Sequence, residues 1–403
     1  MANVYRLSNK FKHYSWGSKT LIPQFLNMEN KNGSLFAEMW MGTHKGAPSQ
    51  VFTGGAPDGG GLNDLINISG ELPFLFKLLA IEKPLSIQAH PNKEQAQAGF
   101  KREESMLSIN APTRNYKDDN HKPEIFCAMT PVTLMAGFKE PEKIRELFKE
   151  LLYELPQLNE IVAPLIHALK SGSLSKFFRM LLNISRVEQE FLCSFINEID
   201  ENKIRGGSSR VISNEQWKLI KRFASIFHGD PAILSPLYLN FLSLESGQAV
   251  FIPAGILHAY LSGFGIELMT SSDNVLRGGL TPKHVDISEL MNILEFIPFV
   301  PDIISPDDSD DWFCYNTPCR DFLLARMRGA GSSQIFPVSG PAICIVTEGM
   351  LKINDLTFVK GESFFIPAGA GKISFNGEYS LYTASLNYCG DVITGGNDAV
   401  FKT

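Results

Sequence analysis

Five letters, FIPAG, occur twice in this chain of 403 residues, at 251–255 inside GQAVFIPAGILHAY and at 365–369 inside GESFFIPAGAGKIS. In each copy a glycine (Gly247 or Gly361) stands eight residues before the last glycine, with an apolar run between them. The pattern prescribes a short apolar strand that is left through a sharp reversal. Proline fixes one φ and glycine supplies the permissive φ that such a turn needs. Two copies therefore ask for two β units. They differ at one place: three residues past the final glycine the first copy has His258 and the second has Lys372. The second copy, with no ligand-type residues around it, reads as a corner and nothing more. The first needs a closer look.

The rest of the chain divides into three textures. Up to about Phe138, short apolar runs such as LPFLFKLLA, PLSIQAH and PVTLMAGF alternate with turn-rich stretches such as GGAPDGGGLND, the texture of a sandwich or barrel. From Glu140 to about Tyr238 the period changes. In PEKIRELFKELLYEL, Ile144, Leu147, Phe148, Leu151 and Leu152 recur at helical spacing, with Pro141 at a helix start. LSKFFRMLLNI and NEQWKLIKRFASIF continue the helical pattern, and ENKIRGGSSRVIS between them reads as an exposed loop. After Leu239 short strands resume. The fold expected is mainly β with an α-helical insertion. A glycine, an apolar run and P-x-G form the second half of a cupin signature, and cupins are double-sheet jelly rolls. The expected division is a discontinuous first cupin at 1–138 and 239–292, a helical insertion at 139–238, and a second cupin-like unit without metal at 293–403.

Charge and cysteines exclude several classes of function. Net charge is −6 with no basic block, which argues against nucleic acid or a membrane surface as partner. No apolar run is long enough to span a bilayer, and MANVYRLSNKFKHYSWG lacks the apolar centre of a signal peptide. Six cysteines, at 127, 193, 314, 319, 344 and 389, show no zinc-finger spacing. Reduced thiols and a cytoplasmic monomer are expected.

Ligand-type residues cluster in the β segments. LSIQAHP places Ser86, Gln88 and His90 at alternate positions, one face of a strand that Pro91 then ends. NHKPEIF gives His121, Lys122 and Glu124, with strand parity joining Lys122 to Glu124 and turning His121 away. A single histidine is more often an ordinary polar side chain than a ligand. Together with His258, however, the set Gln88, His90, Glu124 and His258 offers two imidazoles, a carboxylate and an amide carbonyl. Such a set can hold a first-row divalent metal and leave room for water or substrate.

Longer stretches carry a resemblance. LPFLFKLLAIEKPLSIQAHPNKEQA (72–96), YKDDNHKPEIF (116–126) and FIPAGILHAYLSGFGIELMTSSDNVLRGGLTPKHVD (251–286), with HYSWGS and AEMWMGTH near the start, resemble the type I phosphomannose isomerases. The likeness runs end to end, firm in the β segments and faint in the helical insertion. It implies a catalytic cupin carrying one zinc at Gln88, His90, Glu124 and His258, and a sugar phosphate as substrate. The activity implied is interconversion of mannose 6-phosphate and fructose 6-phosphate. The family-matched pocket adds Lys77, Lys122, Arg277 and Lys283, with Ser86 as a further substrate contact.

A cavity rich in cations within an acidic chain suits an anionic ligand such as a phosphate. The neighbours Gly278 and Gly279 suggest that Arg277 stands in a loop, and TPK at 281–283 reads as a turn or helix start able to hold a phosphate. Lys77 and Lys283 look more like solvated surface lysines than does Lys122, beside Glu124. Moving a proton between C1 and C2 of a sugar needs a base and groups that hold the developing oxyanion. The candidate proton carriers are Lys122, Glu267 and Asp273, with His121 disfavoured by parity, and the resemblance makes Arg277 the leading catalytic residue. Like charge from a metal and an arginine would lower the pKa of a lysine and suit it to act as a base. Two other readings compete. An Fe(II) oxygenase would use two histidines and one carboxylate, but Gln88 and the cationic pocket speak against it. A non-catalytic sugar-phosphate binder is opposed by the full set of motifs.

Overall fold

The computed structural model describes residues 4–52, 60–66, 72–199, 211–307, 309–331, 333–336 and 340–387. Most of the loop expected between the helical segments, at 200–210, lies outside the described residues, as does part of GGAPDGGGLND. The chain is mainly β with a helical region, and among the described residues its strands pair antiparallel, with one isolated parallel bridge between Phe138 and Pro298. One eleven-stranded sheet is organised on His258–Thr270, a strand of 13 residues. Its first part pairs with Val132–Phe138 and, at His258, with Ile87–Ala89. Its second part pairs with Phe74–Ile81 and Glu124–Ala128. The register shifts between Tyr260 and Ser262, so the strand bends where it passes from one set of partners to the other. Gly263 makes this possible: its φ is +118° and a Cβ there would lie 2.6 Å from the Pro131 carbonyl oxygen.

The second sheet has eight strands, centred on Ala342–Ile353, Glu378–Ser385 and Ser363–Ile366. Its membership crosses the boundaries expected from chain order. Tyr5–Ser8 pairs with Ser363–Ile366, bringing Tyr5 opposite Phe365, and Gln50–Val51 pairs with Tyr5–Ser8. Conversely, Ile303–Ile304 joins the first sheet beside Ala249–Ile252. The two sheets share a core in which Phe74, Phe76 and Ile125 of the first meet Ile343, Phe365 and Tyr382 of the second.

The helices follow the sequence pattern. Pro141–Glu154 has proline in its first turn and buries Ile144, Leu147, Phe148 and Leu151, while Leu152 is half-buried at the edge of the same cluster. Leu174–Leu182 and Asn214–Ile226 start at capping side chains of Ser173 and Ser213, each accepting a backbone N–H. Their apolar faces join Ile87, Ala89, Leu257, Ala259 and Leu276 in one core. Those strand residues alternate with Gln88, His258 and Arg277. The helices thus cover the back of the strands whose front carries the expected ligands. Among the described residues no helix is long and apolar enough to cross a membrane, and Cys127, Cys193, Cys319 and Cys344 are free thiols.

Candidate metal centre

Three strands place the ligands. Gln88 in Ile87–Ala89 lies directly opposite His258 on one side and Arg277 on the other. Cross-strand partners share a face, with Cβ atoms about 5 Å apart, so these three side chains form one row. His90 follows at the end of the same strand, just before Pro91. Glu124 opens Glu124–Ala128 on the far side, opposite both Ile252 and Met269.

His90, Glu124 and His258 converge, with ligand atoms within 4.8 Å of one another, and all three side chains are buried. His258 Nε2 lies 3.0 Å from Glu124 Oε1, and His90 Nε2 lies 3.4 Å from Oε2. The outer nitrogens fix the tautomers. His90 Nδ1 donates to the Asn274 carbonyl at 2.8 Å, and His258 Nδ1 donates to the Ile256 carbonyl at 3.0 Å. With the protons on Nδ1, both Nε2 atoms carry lone pairs that face a carboxylate. His90 Nε2, His258 Nε2 and Glu124 Oε2 have no hydrogen-bond partner. Buried acceptors are seldom left so. Acceptors aimed at one another with no proton between them call for a cation, and two imidazoles with a carboxylate are a zinc-type donor set. Tyr260 donates to Glu124 Oε1 at 3.0 Å and holds the carboxylate in place.

Electrostatics point the same way. Burial, followed by the Lys122 charge, pushes His90 down to about 3, which keeps its imidazole neutral at physiological pH. Burial alone would raise Glu124, but the two histidines outweigh it and hold the carboxyl well below its ordinary range. The phenol of Tyr260 is raised by burial and by Glu124, so it stays a donor.

The remaining expected residues fall into distinct positions. Lys122 is buried, and no ion pair or hydrogen bond from its ammonium is formed with any described residue. Arg277 is half-buried and likewise unpartnered, its pKa lowered by burial. Lys283 is exposed in the bends that follow, its pKa lowered first by burial and then by Arg277 and Lys117, so these three cations form one cluster. Ser86 is half-buried next to the strand that carries Gln88.

Lys77 is a correction. It reads as a solvated lysine, yet it is only 6% exposed and its ammonium donates to Glu267, the residue directly opposite across the strands. Burial would lower the Lys77 pKa, but Glu267 and Glu38 outweigh it and hold the ammonium above its ordinary value. Asp273 is more open, with its carboxylate 3.4 Å from His44 Nε2. His121 lies before the strand that starts at Glu124, and its Nε2 meets Asp321 at 2.6 Å.

Arg277 is a second correction. It stands in the strand Leu276–Gly279 and not in a loop. The glycines after it serve a bulge between Arg277 and Gly279, and a Cβ on Gly279 would lie 2.2 Å from that of Ala232. TPK is a bend, and the helix Ile287–Ile293 begins only after Asp286, which caps it.

Two contributors were missed from sequence: Tyr260 and Asn274. Tyr260 lies two residues past His258 on the same strand face, so strand parity alone offers a signal for it. Asn274 acts partly through its backbone carbonyl, which residue type does not encode. Its side chain accepts from Lys117 N at 2.7 Å and donates to the Asn120 carbonyl at 2.9 Å, tying two loops together behind His90.

Relatives share this arrangement of chain and fold. Residues 4–141 match the family described as phosphomannose isomerase type I, catalytic domain. The mannose-6-phosphate isomerase of Escherichia coli strain K12 is 32% identical over 398 residues, covering 94% of this chain and 98% of its own. This chain belongs to the type I phosphomannose isomerases. The human mannose-6-phosphate isomerase is more distant, 29% identical over 387 residues, with 86% of this chain and 88% of the relative covered. Among solved structures, a zinc-bound mannose 6-phosphate isomerase superposes with a TM-score of 0.81 at 32% identity, covering 95% of this chain and 99% of that one. The apo form from Salmonella typhimurium gives 0.83 at 32% identity, covering 96% and 100%.

Proposed function

We propose that this chain is a zinc-dependent aldose–ketose isomerase that interconverts mannose 6-phosphate and fructose 6-phosphate through an enediol. The observation that carries the reading is the set of three buried acceptor atoms on His90, Glu124 and His258, next to Lys122 and Arg277, none of them with a partner among the described residues. His90, Glu124 and His258 would hold zinc, with the Gln88 amide carbonyl as fourth ligand. Zinc supplies Lewis-acid polarisation of the sugar oxygens. Arg277, in the row with Gln88 and His258, holds the charge that develops on the reacting oxygens. Lys283 and Lys117 receive the phosphate.

Among the candidate proton carriers, Glu267 is engaged by Lys77, Asp273 faces His44 and His121 faces Asp321. Lys122 is the one left unpaired among the described residues, so on this reading its neutral amine takes the proton from one carbon and the ammonium so formed returns it to the other carbon of the enediol, while the buried floor of the site keeps water out. The chain works as a monomer in the cytoplasm on this reading, which its free thiols support.

The test offers mannose 6-phosphate and glucose 6-phosphate separately to the zinc-loaded protein, with turnover of the first expected. Arg277→Ala is expected to lower kcat about a hundredfold, the cost of roughly 3 kcal/mol for losing one such donor. Lys283→Ala is expected to raise KM more than it lowers kcat, because contacts equal in ground and transition state act on KM. Lys122→Arg keeps the charge but cannot deprotonate to serve as a base, so its kcat should fall with KM little changed. Near-normal kcat in Arg277→Lys would reverse the role given to Arg277.

A further inference from the structure

A second cavity of about 480 Å³ opens where the two sheets meet, away from the metal centre. Met129 and Thr130, on its wall, follow the far end of the strand that begins at Glu124. At a strand rise of about 3.3 Å per residue they stand about 16 Å from that ligand. The volume lies within the range of pockets that take small molecules, roughly 300–1,000 Å³.

Its most unusual wall residue is Arg326. The side chain is 97% buried, being 3% exposed, yet it forms no ion pair with any described residue. Its single hydrogen bond to a described residue runs from Nη2 to the Asp307 carbonyl at 3.1 Å. Nε is buried without a partner, and Nη1 has none among the described residues. A buried guanidinium neutralised by no carboxylate carries a large desolvation cost that an oxyanion would offset.

The surroundings fit such a ligand. Gln248 Nε2 donates to Ser305 Oγ at 3.1 Å, which leaves the Ser305 hydroxyl proton free to donate into the cavity. Lys360 stands exposed at the rim, its ammonium 5.6 Å from the centre of the Phe25 ring. Glu245 and Glu348 also line the space. They cannot receive a phosphate, but they can accept from hydroxyl groups. Backbone shape contributes as well: Gly247, the glycine that precedes the first FIPAG corner, has a φ of +87°, and a Cβ there would come 3.7 Å from Arg326 Nη1.

We propose that this cleft is a second binding site, for a small hydroxylated phosphate ester, in which Arg326, Ser305 and Lys360 hold the phosphate and Glu245 and Glu348 hold the hydroxyls. It uses none of the groups assigned to isomerisation, so it stands or falls separately from that activity.

Glycerol 3-phosphate titrated calorimetrically into the zinc-loaded protein is expected to bind at two sites. Arg326→Gln should weaken one of them by about tenfold or more, in line with the loss of a charge-assisted hydrogen bond, and leave turnover of mannose 6-phosphate unchanged. Lys283→Ala should weaken the other site. Because a substitution at a buried arginine can prevent folding, Lys360→Glu, at an exposed position, is the second variant and should weaken the same site as Arg326→Gln. Inorganic phosphate should bind there more weakly than glycerol 3-phosphate, and crystals soaked in tungstate should show the ion against Arg326 Nη1. A single site whose affinity neither Arg326→Gln nor Lys360→Glu changes would overturn the proposal. So would a tungstate-free cleft.

Discussion

The two FIPAG corners have the same backbone and different surroundings. Gly247 and Gly361 have φ of +87° and +89°, and Gly255 and Gly369 have φ of +79° and +73°. Four glycines in the left-handed region, at matching places, account for the repeat: the corner is a backbone requirement. What surrounds it is not repeated. A Cβ on Gly255 would lie 2.8 Å from Glu295 Cγ and 3.1 Å from the Ile293 carbonyl oxygen, whereas one on Gly369 would meet nothing within 4 Å. His258 follows the first corner into a buried strand, and Lys372 follows the second into solvent. A turn can thus be kept for its shape alone, and a site arises only where neighbouring strands bring further ligands to it.

The largest effect that would break this comparison is loss of the metal. His258→Ala or Glu124→Ala is expected to reduce zinc from about one per chain to none and to abolish turnover, with far-ultraviolet circular dichroism unchanged. Metal analysis of the purified variants decides it, and full activity in a rigorously metal-free preparation would defeat the assignment.

Next come the glycines. Gly369→Val should cost about 1–2 kcal/mol, the penalty of the left-handed conformation alone. Gly255→Val adds overpacking against Glu295 and Ile293 and should cost about 2–5 kcal/mol. Urea titrations of the two variants measure the gap. Equal costs would mean that the packing difference is immaterial.

The pH dependence of the metal-free protein is a smaller lever. His90 has a folded value of about 3 against 6.5 in a free chain. Between those values the unfolded state holds the extra proton, so stability falls as pH falls, by at most about 1.4 kcal/mol per pH unit from this group. Glu124 adds to the loss in the same direction: its depressed folded value contributes stability above the ordinary carboxylate range that disappears on acidification. His90→Gln should flatten the slope between pH 6.5 and about 3. The smallest effect is expected from Lys372→Ala, with zinc content and turnover unchanged; a fall in zinc occupancy there would show that the two corners are not independent.

Much of this was legible in the sequence because it depends on period and parity. Alternation in LSIQAH placed Gln88 and His90 on the face opposite Ile87 and Ala89, and helical spacing in PEKIRELFKELLYEL picked out the residues that pack behind them. Other features depend on contacts between distant segments, which no local pattern reveals. Lys77 finds Glu267 190 residues away, so its burial could not be read from its neighbours. Two glycines after Arg277 suggested a loop, because the approach of Ala232 that requires a glycine comes from another part of the chain. Arg326, an arginine without a counterion among the described residues, is likewise visible only once both sheets are assembled.

The pairing of Tyr5–Ser8 with Ser363–Ile366 bears on how the chain is made. Leu7 lies opposite Ser363, a separation of 356 residues. At about 5–20 residues per second of synthesis, roughly 20–70 s pass between the appearance of one strand and the other. Gln50–Val51 can occupy one edge of the early strand within seconds. The other edge waits for nearly the whole polypeptide, and an open strand edge is a template for pairing with another chain. A ribosome that stalls before residue 363 therefore leaves a nascent chain whose first strand is still half-paired, ready to recruit a neighbour.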